Sequence, residues 1–74
     1  MTLEEKKRLV TRFLERCNDY ADGQLSGLHA ELEHARGAKA LELADKIAHW
    51  AAYRAFNEHA IAELVTPRLD GWLD

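Results

Sequence analysis

The sequence predicts an all-α protein, a helical hairpin that forms a single small domain over residues 1–74. Apolar residues recur every three to four positions, as on one face of an α-helix. Alanine, leucine and glutamate are abundant, there is one proline, and no segment alternates apolar and polar residues as a strand does. A chain of 74 residues has a small core, so oligomerisation is expected.

The first helix is predicted over residues 3–22. Thr2 and Glu5 have the spacing of a capping box, which starts a helix. A single apolar stripe about 140° wide follows, made of Leu3, Val10, Phe13, Leu14, Cys17, Tyr20 and Ala21. Asp22-Gly23 then has the form of a helix end, with Gly23 just after the cap.

The second helix is predicted over residues 26–65, with Ser26 as its N-cap. Gly37 leaves two alternatives open. A continuous or kinked helix would accept Gly37 at roughly 1 kcal/mol relative to alanine, and no capping residue follows it to start a new helix. The alternative is a monomeric three-helix bundle with a break near Gly37. We favour the long helix, which at about 60 Å would be only half covered by the first.

A short C-terminal turn is predicted over residues 67–73, because Thr66 is a good N-cap and Pro67 suits the first helical position. The tail is apolar at three positions: Leu69, Trp72 and Leu73. We expect it to fold back on the chain's own apolar surface. The alternative is an exposed anchor for another protein, with tryptophan as a typical hot-spot residue.

Residues 53–65 are predicted to be apolar on two faces, since Tyr53, Phe56 and Leu64 occupy a side that is polar before about residue 50. An exposed apolar patch promotes association, so we expect a homo-oligomer, with a dimer favoured. This architecture resembles small helical hairpins that pair as four-helix bundles, an analogy that carries no function. The expected interface consists of Trp50, Tyr53, Arg54, Phe56, Glu58, Ala60, Leu64, Leu69 and Trp72.

Arg54 and Glu58 interrupt the apolar side and lie one helical turn apart, a spacing that permits an ion pair. Such a pair can fix the register between packed helices. Arg54 reaching an acidic residue of another subunit is the alternative arrangement.

A helical bundle that binds a metal or cofactor through histidine and glutamate is the alternative function. Glu31 and His34 have the E-x-x-H spacing of di-iron bundles and are the best metal candidates. However, with 13 acidic residues in the chain, a helical acidic neighbour for each histidine is no excess over chance. The first helix also has no acidic residue in its apolar stripe, so no cofactor is expected.

Composition and motifs argue against nucleic-acid binding and against enzymatic activity. The net charge is −3, and the basic ladder Arg8, Arg12 and Arg16 has acidic neighbours, so nucleic acid is not an expected partner. Cys17 is expected to be a buried structural thiol. No phosphate loop, Ser–His–Asp order or H-E-x-x-H motif occurs, so no enzyme is expected.

No run approaches the roughly 18 apolar residues of a membrane span, and residues 1–10 lack the apolar core of a signal peptide. The expected location is therefore cytoplasmic. We interpret the chain as a small non-enzymatic interaction or regulatory protein, of adaptor or inhibitor type, that acts on a protein partner as a homo-oligomer.

Overall fold

The computed structural model describes all 74 residues and contains three helices and no strand. Helix α1 spans Leu3–Leu32 and helix α2 spans Ala38–Leu64; a 3₁₀ turn at Pro67–Leu69 leads into the short helix α3, Asp70–Leu73. Helices α1 and α2 pack antiparallel as a rod of 51 × 17 × 13 Å. The predicted all-α class and hairpin architecture are confirmed.

The reversal of the hairpin lies at residues 33–37, and the predicted helix ends near Asp22 and Ser26 are wrong. Helix α1 continues through Gly23 and through Ser26, the predicted N-cap. Three leucines extend its apolar stripe in phase beyond Gly23: Leu25, Leu28 and Leu32. Their packing against α2 outweighs the roughly 1 kcal/mol by which glycine disfavours a helix interior.

The break near Gly37, offered by the sequence as an alternative, is present, and a single helix over residues 26–65 is not formed. Gly37 has φ 60° and ψ −134°, and it is the only residue with positive φ. Helix α2 starts directly after it without a side-chain cap. A cap contributes about 1 kcal/mol, which the packing of a helix of 27 residues exceeds.

The core of the hairpin is small, because two antiparallel helices share only one contact surface. Helices α1 and α2 have 30 and 27 residues, so α1 covers one stripe of α2 along its length. Five residues are fully buried: Asn18, Ala21, Leu43, Asn57 and Leu64. Leu43 is the only large side chain that is completely enclosed, which stabilises the fold by about 2 kcal/mol. Most other apolar side chains keep contact with solvent.

Both ends of the chain have the predicted caps. Thr2 Oγ1 accepts a hydrogen bond from the Glu5 amide at 3.1 Å, and Glu5 Oε1 accepts one from the Thr2 amide at 3.3 Å. At the other end, Thr66 Oγ1 accepts a hydrogen bond from the Arg68 amide at 3.2 Å, with Pro67 in the first position. These local bonds define where α1 and the C-terminal turn begin.

The C-terminal segment folds back onto the first turn of α1. Lys6 Nζ donates a hydrogen bond to the Leu73 carbonyl oxygen at 2.6 Å, and Lys7 Nζ lies 2.7 Å from Asp70 Oδ1. Leu69 and Leu73 are half-buried, whereas Trp72 is 86% exposed. The tail therefore closes the open end of the hairpin and leaves its tryptophan outside.

Replacing Gly37 by L-alanine is expected to lower the free energy of unfolding by about 1–3 kcal/mol. The added methyl group meets no neighbouring atom, so the loss would come from the backbone conformation alone. D-alanine, introduced by chemical synthesis, adds the same atoms and accepts positive φ, and is expected to cause no loss. Urea unfolding at one protein concentration measures both; equal losses for the two alanines would contradict the backbone explanation.

Candidate association face

Three aromatic rings form a cluster on one side of the hairpin. The Tyr20 ring of α1 lies 5.6 Å from the Trp50 ring of α2, with an interplanar angle of 63°. The Trp50 ring in turn lies 5.6 Å from that of Tyr53, at 90°. These edge-to-face arrangements are the preferred geometry of aromatic pairs. Together with His49 the three rings line an open depression of about 410 Å³.

Further large apolar side chains extend this cluster along both helices. Leu9, Phe13 and Tyr20 fall within about 40° of one another around α1, and Phe56 follows Tyr53 on α2. Leu9, Phe13 and Phe56 expose 53%, 64% and 70% of their surface. We call the set the aromatic face, and it consists of Leu9, Phe13, Tyr20, Trp50, Tyr53 and Phe56. Several large apolar side chains exposed on one side of a molecule are typical of an association site.

The residues expected at an interface lie in different surroundings. Tyr53 and Phe56 are exposed on the aromatic face, where Trp50 is half-buried. Leu64 is buried within the chain, and Ala60 is half-buried. The tail residues Leu69 and Trp72 lie at the open end, away from the Tyr20–Trp50 cluster. The part contributed by α1, namely Leu9, Phe13 and Tyr20, was missed because these residues were assigned to the core stripe or its edge.

The opposite side of the hairpin carries a chain of polar contacts that includes Arg54 and Glu58. Arg54 Nε lies 2.6 Å from Asp22 Oδ1 of α1, and Arg54 Nη1 lies 3.6 Å from Glu58 Oε1. Glu58 Oε1 also accepts a hydrogen bond of 3.0 Å from Asn18 Nδ2. The carboxylate of Asp22 raises the pKa of Arg54 above its ordinary value. Arg54 thus joins α2 to α1 of the same chain and fixes their register.

Two buried asparagines, one on each helix, form a polar layer within the core. Asn18 and Asn57 keep only 4% and 3% of their surface exposed. Asn18 Oδ1 and Asn57 Nδ2 make no hydrogen bond, although Asn57 lies close enough to the Tyr53 phenol to lower its pKa. An unpaired buried polar atom costs about 1–3 kcal/mol. The layer therefore weakens the core while restricting the alignment of the two helices.

Tyr53 is the second group with a shifted pKa. Polar interaction with the neighbouring Cys17 of α1 raises the pKa of the Tyr53 phenol above its ordinary value of 10.0, with Asn57 acting in the opposite direction. Cys17 is a free, half-buried thiol at the inner edge of the aromatic face. The Tyr53 phenol therefore loses its proton at a higher pH than an ordinary tyrosine does.

The basic ladder of α1 is not neutralised as expected. No ion pair of the structure includes Arg8, Arg12 or Arg16. Arg8 and Arg12 border a groove of about 390 Å³ that also contains Glu4 and Glu15. Arg12 and Arg16 lie beside Leu9 and Phe13, so Arg16 flanks the aromatic face.

The metal candidates Glu31 and His34 lie at the closed end of the hairpin. Glu31 belongs to the last turn of α1 and His34 follows it in the reversal. They border one shallow surface depression together with Lys39. No cluster of three or more histidine, cysteine, aspartate or glutamate side chains is close enough to hold a metal ion. A metal site at these two residues stays a prediction.

Comparison of the chain with models of protein families, curated proteins and solved structures found no match. No helix combines the length and apolar character needed to cross a lipid bilayer. Function must therefore be inferred from the residues and geometry described above, among which the aromatic face is the most distinctive feature.

Asn57→Ala is expected to raise the free energy of unfolding by about 1 kcal/mol, because it removes an unpaired buried donor and favours the helix. Asn18→Ala is the matched control, and it should gain less because it also removes the hydrogen bond to Glu58. Thermal and urea unfolding at matched concentrations measure both. Destabilisation by Asn57→Ala would show that the amide has a partner.

Tyr53 is expected to lose its proton at higher pH in the folded chain than in the unfolded one. Because the folded-state pKa is raised, the stability that this group contributes is full below pH 10.0 and is lost as the pH rises through the folded-state pKa. Phenolate absorbance in a Tyr20→Phe variant follows Tyr53 alone. Adding Cys17→Ala should return the pKa towards its ordinary value; an unchanged titration would refute the role of Cys17.

Proposed function

We propose that this chain is a small non-enzymatic protein that acts through protein association, as a homo-oligomer in which the dimer is favoured. The observation that carries the proposal is the aromatic face, six large apolar side chains on one side of the hairpin. A pair of hairpins that covers this face would form a four-helix bundle with a full core. The proposed use of the protein is regulatory, in the manner of an adaptor or inhibitor.

The exposed area of the hairpin supports an interface of ordinary size. Its accessible surface is 5549 Å². A compact monomer of 8.4 kDa exposes about 4600 Å², which leaves an excess of about 900 Å². A standard interface covers about 800 Å² on each partner. The excess therefore corresponds to one such interface for each copy of the chain.

The shape of the hairpin leads to the same proposal. Its radius of gyration is 16.3 Å, against about 11 Å for a compact chain of this length. Lateral pairing of two rods would bury their long sides and produce a more compact particle. The polar contacts of Arg54 and Asp22 lie on the other side of the hairpin and would stay accessible to water.

A second protein partner forms part of the proposal. Trp72 is exposed at the open end of the hairpin, and tryptophan is a frequent anchor in protein interfaces. The charged side chains of Arg54, Asp22 and Glu58 are engaged in joining the two helices, which supports a structural role over catalysis. A cytoplasmic location is proposed because Cys17 is a free thiol, as is usual in reducing compartments.

Phe56→Glu is expected to weaken the dimer by about tenfold or more, because it would bury an unpaired charge in the interface. Leu41→Glu is the matched control: Leu41 and Phe56 are 75% and 70% exposed, but Leu41 lies outside the aromatic face. Sedimentation equilibrium over a range of concentrations measures the dimer, and circular dichroism checks folding. A wild-type chain that stays monomeric at high micromolar concentration would overturn the proposal.

A further inference from the structure

Two glycines in the interior of α1 have no explanation within the chain. Gly23 and Gly27 are spaced by one helical turn, and each disfavours the helix by about 1 kcal/mol relative to alanine. Neither has positive φ. An added Cβ atom would meet no neighbouring atom at either position. Within one chain, therefore, neither a turn nor a close approach requires glycine there.

The two glycines lie on the same side of α1 as its part of the aromatic face. At about 100° per residue, six side chains fall within about 80° of one another: Leu9, Phe13, Arg16, Tyr20, Gly23 and Gly27. Along this stripe the large residues come first and the glycines last. A stripe with that order is complementary to itself when a second copy runs in the opposite direction.

The register of such a pair follows from the spacing. When two antiparallel α1 helices cross at the level of residue 18, positions at equal distances along the helix on either side of that level meet. Phe13 of one copy then faces Gly23 of the other, and Leu9 faces Gly27. Each bulky side chain would fill the space beside a glycine, which has no side chain. The two helices could then approach near the close end of the 8–10 Å range for packed helices.

The same register extends to α2. Asn18 contacts Glu58, so a two-fold axis at the level of residue 18 of α1 lies near the level of residue 58 of α2. Ala60 of one copy then faces Phe56 of the other copy. The small residue is again opposite a large one, as it is along α1.

We propose that the occupant of the aromatic face is a second copy of this chain, with its α1 antiparallel and crossing at the level of residue 18. This inference rests on the proposed function and specifies its partner and register. Phe13 and Leu9 are the knobs, and Gly23 and Gly27 are the spaces that receive them. Since the pairing is isologous, each contact occurs twice and the assembly closes as a dimer.

Arg16 has a defined place in this dimer. Arg16 and Tyr20 lie two residues on either side of Asn18, so the guanidinium of each copy meets the Tyr20 ring of the other. Arg16 forms no ion pair within its own chain. A guanidinium over a tyrosine ring is a favourable cation–π contact, and it strengthens where water is excluded.

The test fills the spaces at Gly23 and Gly27 with leucine side chains. Gly23→Leu and Gly27→Leu should leave the hairpin folded, because the sites are open and leucine favours the helix. Each should weaken the dimer by about tenfold or more, because overpacking an interface costs about 1–3 kcal/mol. Ser26→Leu is the control, since Ser26 is exposed on the same helix but about 100° away from the centre of the stripe. Leu9→Ala combined with Gly27→Leu should restore dimerisation by exchanging the large and small residues.

A second pair of variants tests the Arg16 contact. Arg16→Gln should weaken the dimer severalfold, whereas Arg8→Gln, with the same change of charge, should not. Dissociation constants from sedimentation equilibrium and circular dichroism spectra are measured for every variant. A wild-type dimer whose affinity is unchanged by Gly23→Leu and Gly27→Leu would overturn this register and leave the proposed function intact. A monomeric wild-type chain would overturn both.

Discussion

A hairpin of two helices has only one internal contact surface, and the rest of this structure depends on that limit. Each helix can bury the single stripe that meets the other, so the apolar residues outside the stripe remain in water. Here Leu43 and Leu64 are buried within the stripe, while Phe13 and Phe56 lie outside it and are exposed. The apolar content of the sequence is thus larger than one hairpin can enclose, which is the physical origin of the aromatic face.

The polar residues between the helices determine the register in which the two helices pack. Leucine stripes can slide past each other by a turn at little loss, because one leucine resembles the next. The Asp22–Arg54 contact and the hydrogen bond from Asn18 to Glu58 form in one alignment only. Some stability is given up for a single register, and that register determines which side chains of the two helices share the aromatic face.

Local signals predicted the ends of this fold, and long-range packing determined its middle. Thr2 with Glu5 and Thr66 with Pro67 specify starts through bonds within one turn, which sequence spacing encodes directly. Gly23 and Gly37 are both glycines that could end the first helix, and the sequence alone does not distinguish them. The chain reverses at Gly37 because the leucines after Gly23 pack against α2, which is distant in sequence. The Tyr53–Phe56 side was predictable from its periodicity, but its continuation onto Phe13 was not, because the division of α1 into core and surface depends on where α2 lies.

The contact between Lys6 and Leu73 places the two ends of the chain at the same pole of the rod. A few additional residues would be enough to join them into a ring, at a small entropic cost because the closing loop is short. Opening that ring at the exposed reversal of residues 33–37 would give a chain with α2 before α1 and the same helix pair. The fold therefore does not depend on which helix comes first in the chain. It is determined by the apolar stripes through which the two helices pack.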